Sequence, residues 1–253
     1  MNFDASQLGA AVVIIFLLLI IGFAFYERAR GGGRNLRDIP AFSRLIRAIG
    51  LAVEDGTRLH ISLGRGELHT SRSAASFAGL SILERVARTA SISDYPPVVT
   101  SGDGALSILA RDTLSGAYRE MEADEQFDPT QARLSGVTPF SYAAGAIPII
   151  EDEKVSASIL AGHYGPEIAL ITEASDRTGG FTLAGTDHIP AQAILFAAAE
   201  EPLIGEELYA GGAYLRAGFV HIASLRAQDV FRWLIILAIL GGGILNFIEA
   251  WLQ

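Results

Sequence analysis

The sequence predicts an α/β protein in which a mainly parallel sheet is carried between two membrane helices. Across residues 51–216, up to six short apolar runs end in tight polar turns and lead into helix-like segments. The clearest turns read Ser101-Gly102-Asp103-Gly104, Gly162-His163-Tyr164-Gly165, Gly185-Thr186-Asp187 and Gly205-Glu206-Glu207. Strand-type runs alternating with helical patterns mean βα units and a parallel sheet. Towards each chain end an uncharged stretch, residues 5–26 and then Trp233 to Phe247, approaches the ~20 apolar residues a helix needs to cross a bilayer. The expected organisation is an N-terminal transmembrane helix over 1–27, a basic linker with an amphipathic helix over 28–50, a Rossmann-like cytoplasmic domain over 51–222 and a C-terminal transmembrane helix over 223–253.

The totals exclude several classes. A formal net charge of −9 offers nucleic acid no electrostatic footprint. Cysteine is absent, which removes disulfides, thiolate metal sites and a cysteine nucleophile. No G-x-x-x-x-G-K-[ST] string occurs for a Walker-type phosphate loop, and no G-x-S-x-G elbow for a serine hydrolase. No histidine pair has metal-ligand spacing, so neither a metal nor a cofactor is expected.

The first apolar segment is read as retained rather than cleaved. A signal peptide wants a basic n-region, whereas this one holds Asp4 and leads into Arg28, Arg30 and Arg34. Arginines beside a membrane segment mark the cytoplasmic side. The second segment has Arg226 and Arg232 before it, Glu249 after it, and Trp233 and Trp251 near its ends, as interfacial aromatics stand. A buried core helix is its alternative reading. Both flanks place residues 27–232 in the cytoplasm and both chain ends outside, in the cytoplasmic membrane.

Between the anchors the elements are expected as follows. Gly31-Gly32-Gly33 reads as a flexible joint. Pro40 opens a helix with Phe42, Leu45, Ile46 and Ile49 at helical spacing and Arg44 and Arg47 between them. That helix either packs on the domain, the favoured reading, or lies on anionic lipid. Residues 51–64 look like a hairpin around Asp55-Gly56, with Leu59, Ile61 and Leu63 alternating with His60 and Ser62. A helix follows from Ser73 to Arg88, then strands at 97–100, 134–137, 155–160, 181–184 and 202–204, each with a helix behind it.

Candidate ligand residues lie in the turns: Ser101, Gly102, Asp103, Gly165, Gly185, Thr186, Gly205 and Glu206. Ligands of open α/β sheets bind outside the carboxyl ends of the strands, and helix N-termini there favour anions. Turn geometry alone also explains most of these glycines. Gly64-Arg65-Gly66-Glu67-Leu68-His69 begins like the dinucleotide fingerprint, but its third glycine is His69, and the acidic residue ~20 positions on would be Glu84, inside a predicted helix. Among His60, His69, His163, His188 and His221, the pair Asp187-His188 is the best acid–base candidate. In the second membrane helix, Gly241, Gly242 and Gly243, with Asn246 a turn on, suit close helix–helix contact in lipid.

Leu203-Ile204-Gly205-Glu206-Glu207-Leu208-Tyr209-Ala210-Gly211-Gly212-Ala213-Tyr214-Leu215, with Ser224 to Asp229 and Pro139 to Ala146, resembles a bacterial membrane-protein family catalogued as domain of unknown function 6754. The likeness runs over most of residues 36–240. It implies a membrane-anchored bacterial protein with an α/β cytoplasmic domain, and it brings no activity and no catalytic residues. The leading expectation is a scaffolding protein that assembles as a homo-oligomer, with membrane lipid and other membrane subunits as partners. The alternative is a small-ligand or nucleotide-binding regulatory subunit, and behind it a membrane-tethered hydrolase.

Overall fold

A computed structural model describes residues 5–30, 36–70 and 73–252. In chain order the elements are α1 (Ala5–Arg30), α2 (Pro40–Glu54), β1 (Arg58–Gly64), α3 (Ser73–Ala90), β2 (Val98–Ser101), α4 (Gly104–Glu120), β3 (Ala132–Leu134), α5 (Pro139–Asp152), β4 (Val155–His163), α6 (Ile168–Arg177), β5 (Phe181–Gly185), α7 (Ile189–Ala198), β6 (Glu201–Leu203), α8 (Glu207–Tyr214) and α9 (Phe219–Leu252). They form two compact units, residues 36–217 and the terminal pair 1–35 with 218–253. The glycine joint at 31–33 lies outside the described residues.

In the larger unit all six strands are parallel, in the order β3-β2-β1-β4-β5-β6. This is the doubly wound order of Rossmann folds, which reverses direction between β1 and β4. The sheet is covered on both faces. Leu59, Ile61 and Leu63 of β1 pack with Phe42, Leu45 and Ile49 of α2, Ile82 and Leu83 of α3, and Leu106 and Leu114 of α4. On the opposite face Leu160 and Ala184 pack with Tyr142 and Ile150 of α5, Ile168 and Ile171 of α6, and Leu195 of α7. Gly79 lets α3 close on β4, for a Cβ there would stand 2.1 Å from the Ala161 carbonyl oxygen.

The expected hairpin at 51–64 is not formed. Residues 51–54 continue α2, and Asp55-Gly56 ends it. Gly56 takes φ +60°, and the Thr57 N–H donates to the Ala52 carbonyl at 2.9 Å, the six-to-one bond of a Schellman cap. The physical reason for the difference lies in β1. Alternation normally marks a strand with one wet face. Here His60 and Ser62 are fully buried on the second face, where the Thr100 hydroxyl meets His60 Nε2 and the Tyr142 hydroxyl meets Ser62, while His60 Nδ1 has no partner among the described residues. The third strand also sits earlier than expected, at Ala132–Leu134 rather than 134–137. The helix after Pro40 takes the expected packed form, with Phe42, Leu45 and Ile49 buried and Arg44 paired to Glu201.

In the smaller unit, α1 and α9 hold two stretches long and apolar enough to cross a membrane. Gly9–Ala29 has a mean hydropathy of 2.8 and Phe219–Ile244 one of 1.5, and the most apolar part of each is almost wholly exposed. The second stretch is thus left largely uncovered by the rest of the chain, unlike a helix of its core. Phe16 meets Phe231 edge-on at 5.3 Å, and Glu27 pairs with Arg226, which also lies 5.5 Å from the Tyr26 ring centre. At about 1.5 Å per residue α9 is roughly 51 Å long, well beyond the ~30 Å hydrocarbon layer.

Candidate functional site

Because every strand is parallel, the turns after β1, β2, β4, β5 and β6 share the carboxyl edge of the sheet. All eight candidate turn residues lie there, in two groups either side of β1. In the first group, Ser101 ends β2 and its hydroxyl donates to the Asp103 carbonyl at 3.4 Å. Asp103 caps α4 by accepting from the Leu106 N–H at 2.9 Å. Gly102 donates its N–H to the Gly64 carbonyl at 2.8 Å. In the second group, Thr186 Oγ1 accepts from the Tyr164 N–H at 3.2 Å and the His188 N–H at 3.3 Å. Gln192 donates to the Thr186 carbonyl at 2.8 Å and accepts from the Gly205 N–H at 3.2 Å, tying the β5 and β6 turns together. Gly185 packs on Leu203 and Leu208, and Glu206 stands just before α8.

Between the groups is the switch point, whose side chains lie outside the eight candidate ligand residues. Gly64 ends β1 at φ +70°, so close to β4 that a Cβ would stand 2.4 Å from the His163 carbonyl oxygen. Arg65 follows, donating its own N–H to that carbonyl at 2.9 Å. Its side chain crosses Gly102, where a Cβ would meet Arg65 Cγ at 2.2 Å. Arg65 Nε donates to Glu167 Oε1 at 2.9 Å. The two terminal guanidinium nitrogens have no protein acceptor among the described residues, and the side chain is 20% exposed.

Glu167 is fully buried and also accepts from the Gly165 N–H at 2.9 Å. Burial alone would raise its pKa. The Gly165 and Glu167 N–H groups and the Arg65 guanidinium outweigh that and hold the carboxyl below its ordinary value. Beside it, His163 Nδ1 lies 2.6 Å from Asp187 Oδ1. The carboxylate can only accept, so Nδ1 carries the proton of that bond. Asp187 therefore partners the histidine of the neighbouring strand rather than His188, whose ring centre is 5.8 Å from that of His163. Two polar turns at the ends of consecutive strands were the available signal. Which of two histidines faced the aspartate depended on the unseen sheet order.

The site rests on a buried polar layer. Tyr164 donates to the Ser62 carbonyl at 2.7 Å, and Ser62 also bonds Tyr142. Thr100 lies 3.2 Å from Tyr142 and 2.9 Å from His60 Nε2. Burial pushes the Tyr142 and Tyr164 hydroxyls up, Tyr164 well above its ordinary value. It pushes His60 down to about 4, so the ring is neutral.

The arrangement departs from a dinucleotide fingerprint. The helix after β1 begins at Ser73 rather than at Gly66, and Arg65 lies over Gly102. Glu84 is in α3, paired with Arg88. Among the described residues no group of three or more His, Asp or Glu side chains could hold a metal ion.

Fold and site define the class: a Rossmann-ordered α/β domain with charged side chains at the carboxyl edge of its sheet, in a chain that also bears two apolar helices of membrane-crossing length. The sequence profile of one family, Domain of unknown function (DUF6754), matches residues 1–253, and the chain belongs to that family. No curated protein and no solved structure matches it.

Proposed function

We propose that the protein is a membrane-anchored regulatory subunit whose α/β domain binds a small anionic ligand, such as a nucleotide, at the switch point. The observation that supports this most is Arg65. Glu167 fixes it through Nε alone, and its terminal fork is left without a protein acceptor among the described residues. A guanidinium held this way presents two donors to one phosphate or carboxylate. His163 Nε2 stands one turn away as a further polar group, oriented by Asp187. The domain lies in the cytoplasm with both termini outside, as the arginines flanking the two apolar stretches indicate. Pairing Arg226 with Glu27 lowers the cost of holding that charge near lipid.

The test is thermal unfolding of the full-length protein in detergent with AMP, NAD or inorganic phosphate. A ligand at a hundred times its Kd stabilises by about 2.7 kcal/mol. At least one probe should raise the midpoint, and Arg65→Lys, which keeps the charge but not the fork, should remove most of the rise. Equal rises in both proteins would exclude this crevice.

A second reading, a homo-oligomeric scaffold, draws support from α9. A Cβ on Gly241, Gly242 or Gly243 would meet nothing within 4 Å, so that stretch is open to another helix. The side chain of Asn246 lies outside the described residues.

A further inference from the structure

The smaller unit contains a feature that the crevice does not use. A groove of about 280 Å³ runs between α1 and α9, lined by Ile20, Ile21, Ala24, Phe25, Phe219 and Val220, with Arg28 among its walls. Its lining is apolar apart from that guanidinium. The charges nearby are not equivalent. Arg226 is neutralised by Glu27 and lies over Tyr26. Arg28, one residue beyond Glu27, has no ionic partner among the described residues and is exposed. Phe25 beside it is 70% exposed.

We propose that this groove binds one anionic phospholipid, with the upper acyl chain against Ile20, Ala24 and Phe219 and the phosphate on Arg28. Charge complementarity selects the occupant. An apolar trough on lipid-facing helices accepts any acyl chain, but an unneutralised cation at its charged end favours a net-negative headgroup over a zwitterionic one. Arginine suits the role because its planar fork takes two phosphate oxygens together. Its long stem also lets the charge reach the headgroup level while the methylenes stay on the apolar wall. A basic residue near the membrane surface contributes about a five-fold preference for anionic lipid, the fold-change equivalent of ~1 kcal/mol.

The inference rests on the membrane-anchoring part of the proposed function and is independent of the crevice at the sheet edge. The experiment is native mass spectrometry of the full-length protein in detergent, titrated with phosphatidylglycerol or phosphatidylcholine of the same acyl chains, or with glycerol 3-phosphate. Wild type should bind phosphatidylglycerol roughly five-fold more tightly than phosphatidylcholine. Arg28→Gln should abolish that preference and leave phosphatidylcholine binding unchanged. Ala24→Trp, which fills the groove, should weaken both lipids. Equal binding of the two lipids by wild type, or an intact preference in Arg28→Gln, would overturn the proposal. Glycerol 3-phosphate binding as tightly as the lipid would overturn it too, by making this a soluble-phosphate site. Carbonate extraction of membranes separates the two failures. Release of the protein refutes anchoring itself, whereas retention without a lipid preference refutes the groove alone.

Discussion

Glu167 Oε1 accepts from two donors at the same distance, Arg65 Nε and the Gly165 N–H, each 2.9 Å away. One carboxylate thus joins the turn after β1 to the turn after β4, across the point where the strand order reverses. Glu167 is fully buried and Arg65 partly so, which makes the pair costly to break from one side. Glu167→Gln should destabilise the domain by about 3 kcal/mol, because a buried charge loses its partner. Arg65→Met combined with Glu167→Leu should recover much of that loss. Chemical denaturation of the full-length protein and both variants measures it. Additive losses would mean that the two side chains are not coupled.

Asp187 fixes the tautomer of His163. In wild type at pH 8 the His163 Nδ1 should be the protonated nitrogen. Asp187→Asn can also donate from its amide, so the ring no longer has reason to keep that form. Nitrogen chemical shifts of selectively labelled histidine should report a mixture of tautomers in the variant. An unchanged single tautomer would show that another group sets the ring.

His60 gives the domain an acid-sensitive core. Its folded pKa of about 4 lies below the ordinary value of 6.5, because burial disfavours the charged ring. The unfolded chain therefore binds the proton first. Stability from this group is complete above about pH 6.5 and is lost as pH falls towards 4, at about 1.4 kcal/mol per pH unit. His60→Gln should flatten that part of the stability profile. A variant with the same slope would place the acid sensitivity elsewhere.

Much of the fold was legible because its signals are local. Each strand-end turn combines a short apolar run with glycine, and all of them reached the same sheet edge. β1 misled because Leu59-His60-Ile61-Ser62-Leu63 alternates as a half-wet strand does, while Tyr142 of α5 supplies the hydroxyl that makes burial of Ser62 tolerable. Residues 51–54 misled for the same reason, since Asp-Gly serves a hairpin and a helix cap equally well. The candidate site was half legible. Gly102 and Gly165 lie in turns that flank it, but Arg65, Glu167 and the His163–Asp187 pair come together only through strand order. No spacing in the sequence encodes that order.

The close approach of α3 to β4 is a packing constraint that one methyl group tests. A Cβ at position 79 would also come within 3.0 Å of Leu63 Cδ2, besides the Ala161 oxygen. Gly79→Ala should therefore destabilise by about 1–3 kcal/mol despite its better helix propensity. Hydrogen exchange in β4 should quicken in parallel. A more stable variant would mean that the helix can shift freely.

Topology and assembly are tested on the terminal helices. Reporter fusions at position 120 and at the C-terminus should give opposite signals, cytoplasmic for the first. A non-cytoplasmic signal from position 120 would reverse the placement. Gly242→Leu should weaken a homo-oligomer in mild detergent by filling the flat stretch of α9. A monodisperse wild-type monomer in nanodiscs would remove the scaffold reading and leave the ligand-binding one standing.

The central claim is that the crevice between the β1 and β4 turns holds a small anion. Native mass spectrometry of the full-length protein, released gently from its own membranes, addresses it without prior choice of ligand. The account predicts a wild-type species heavier than the polypeptide by the mass of one small molecule, and bare polypeptide for Arg65→Lys prepared in parallel. The same added mass on both proteins, or none on wild type at the lowest activation energy, would contradict it.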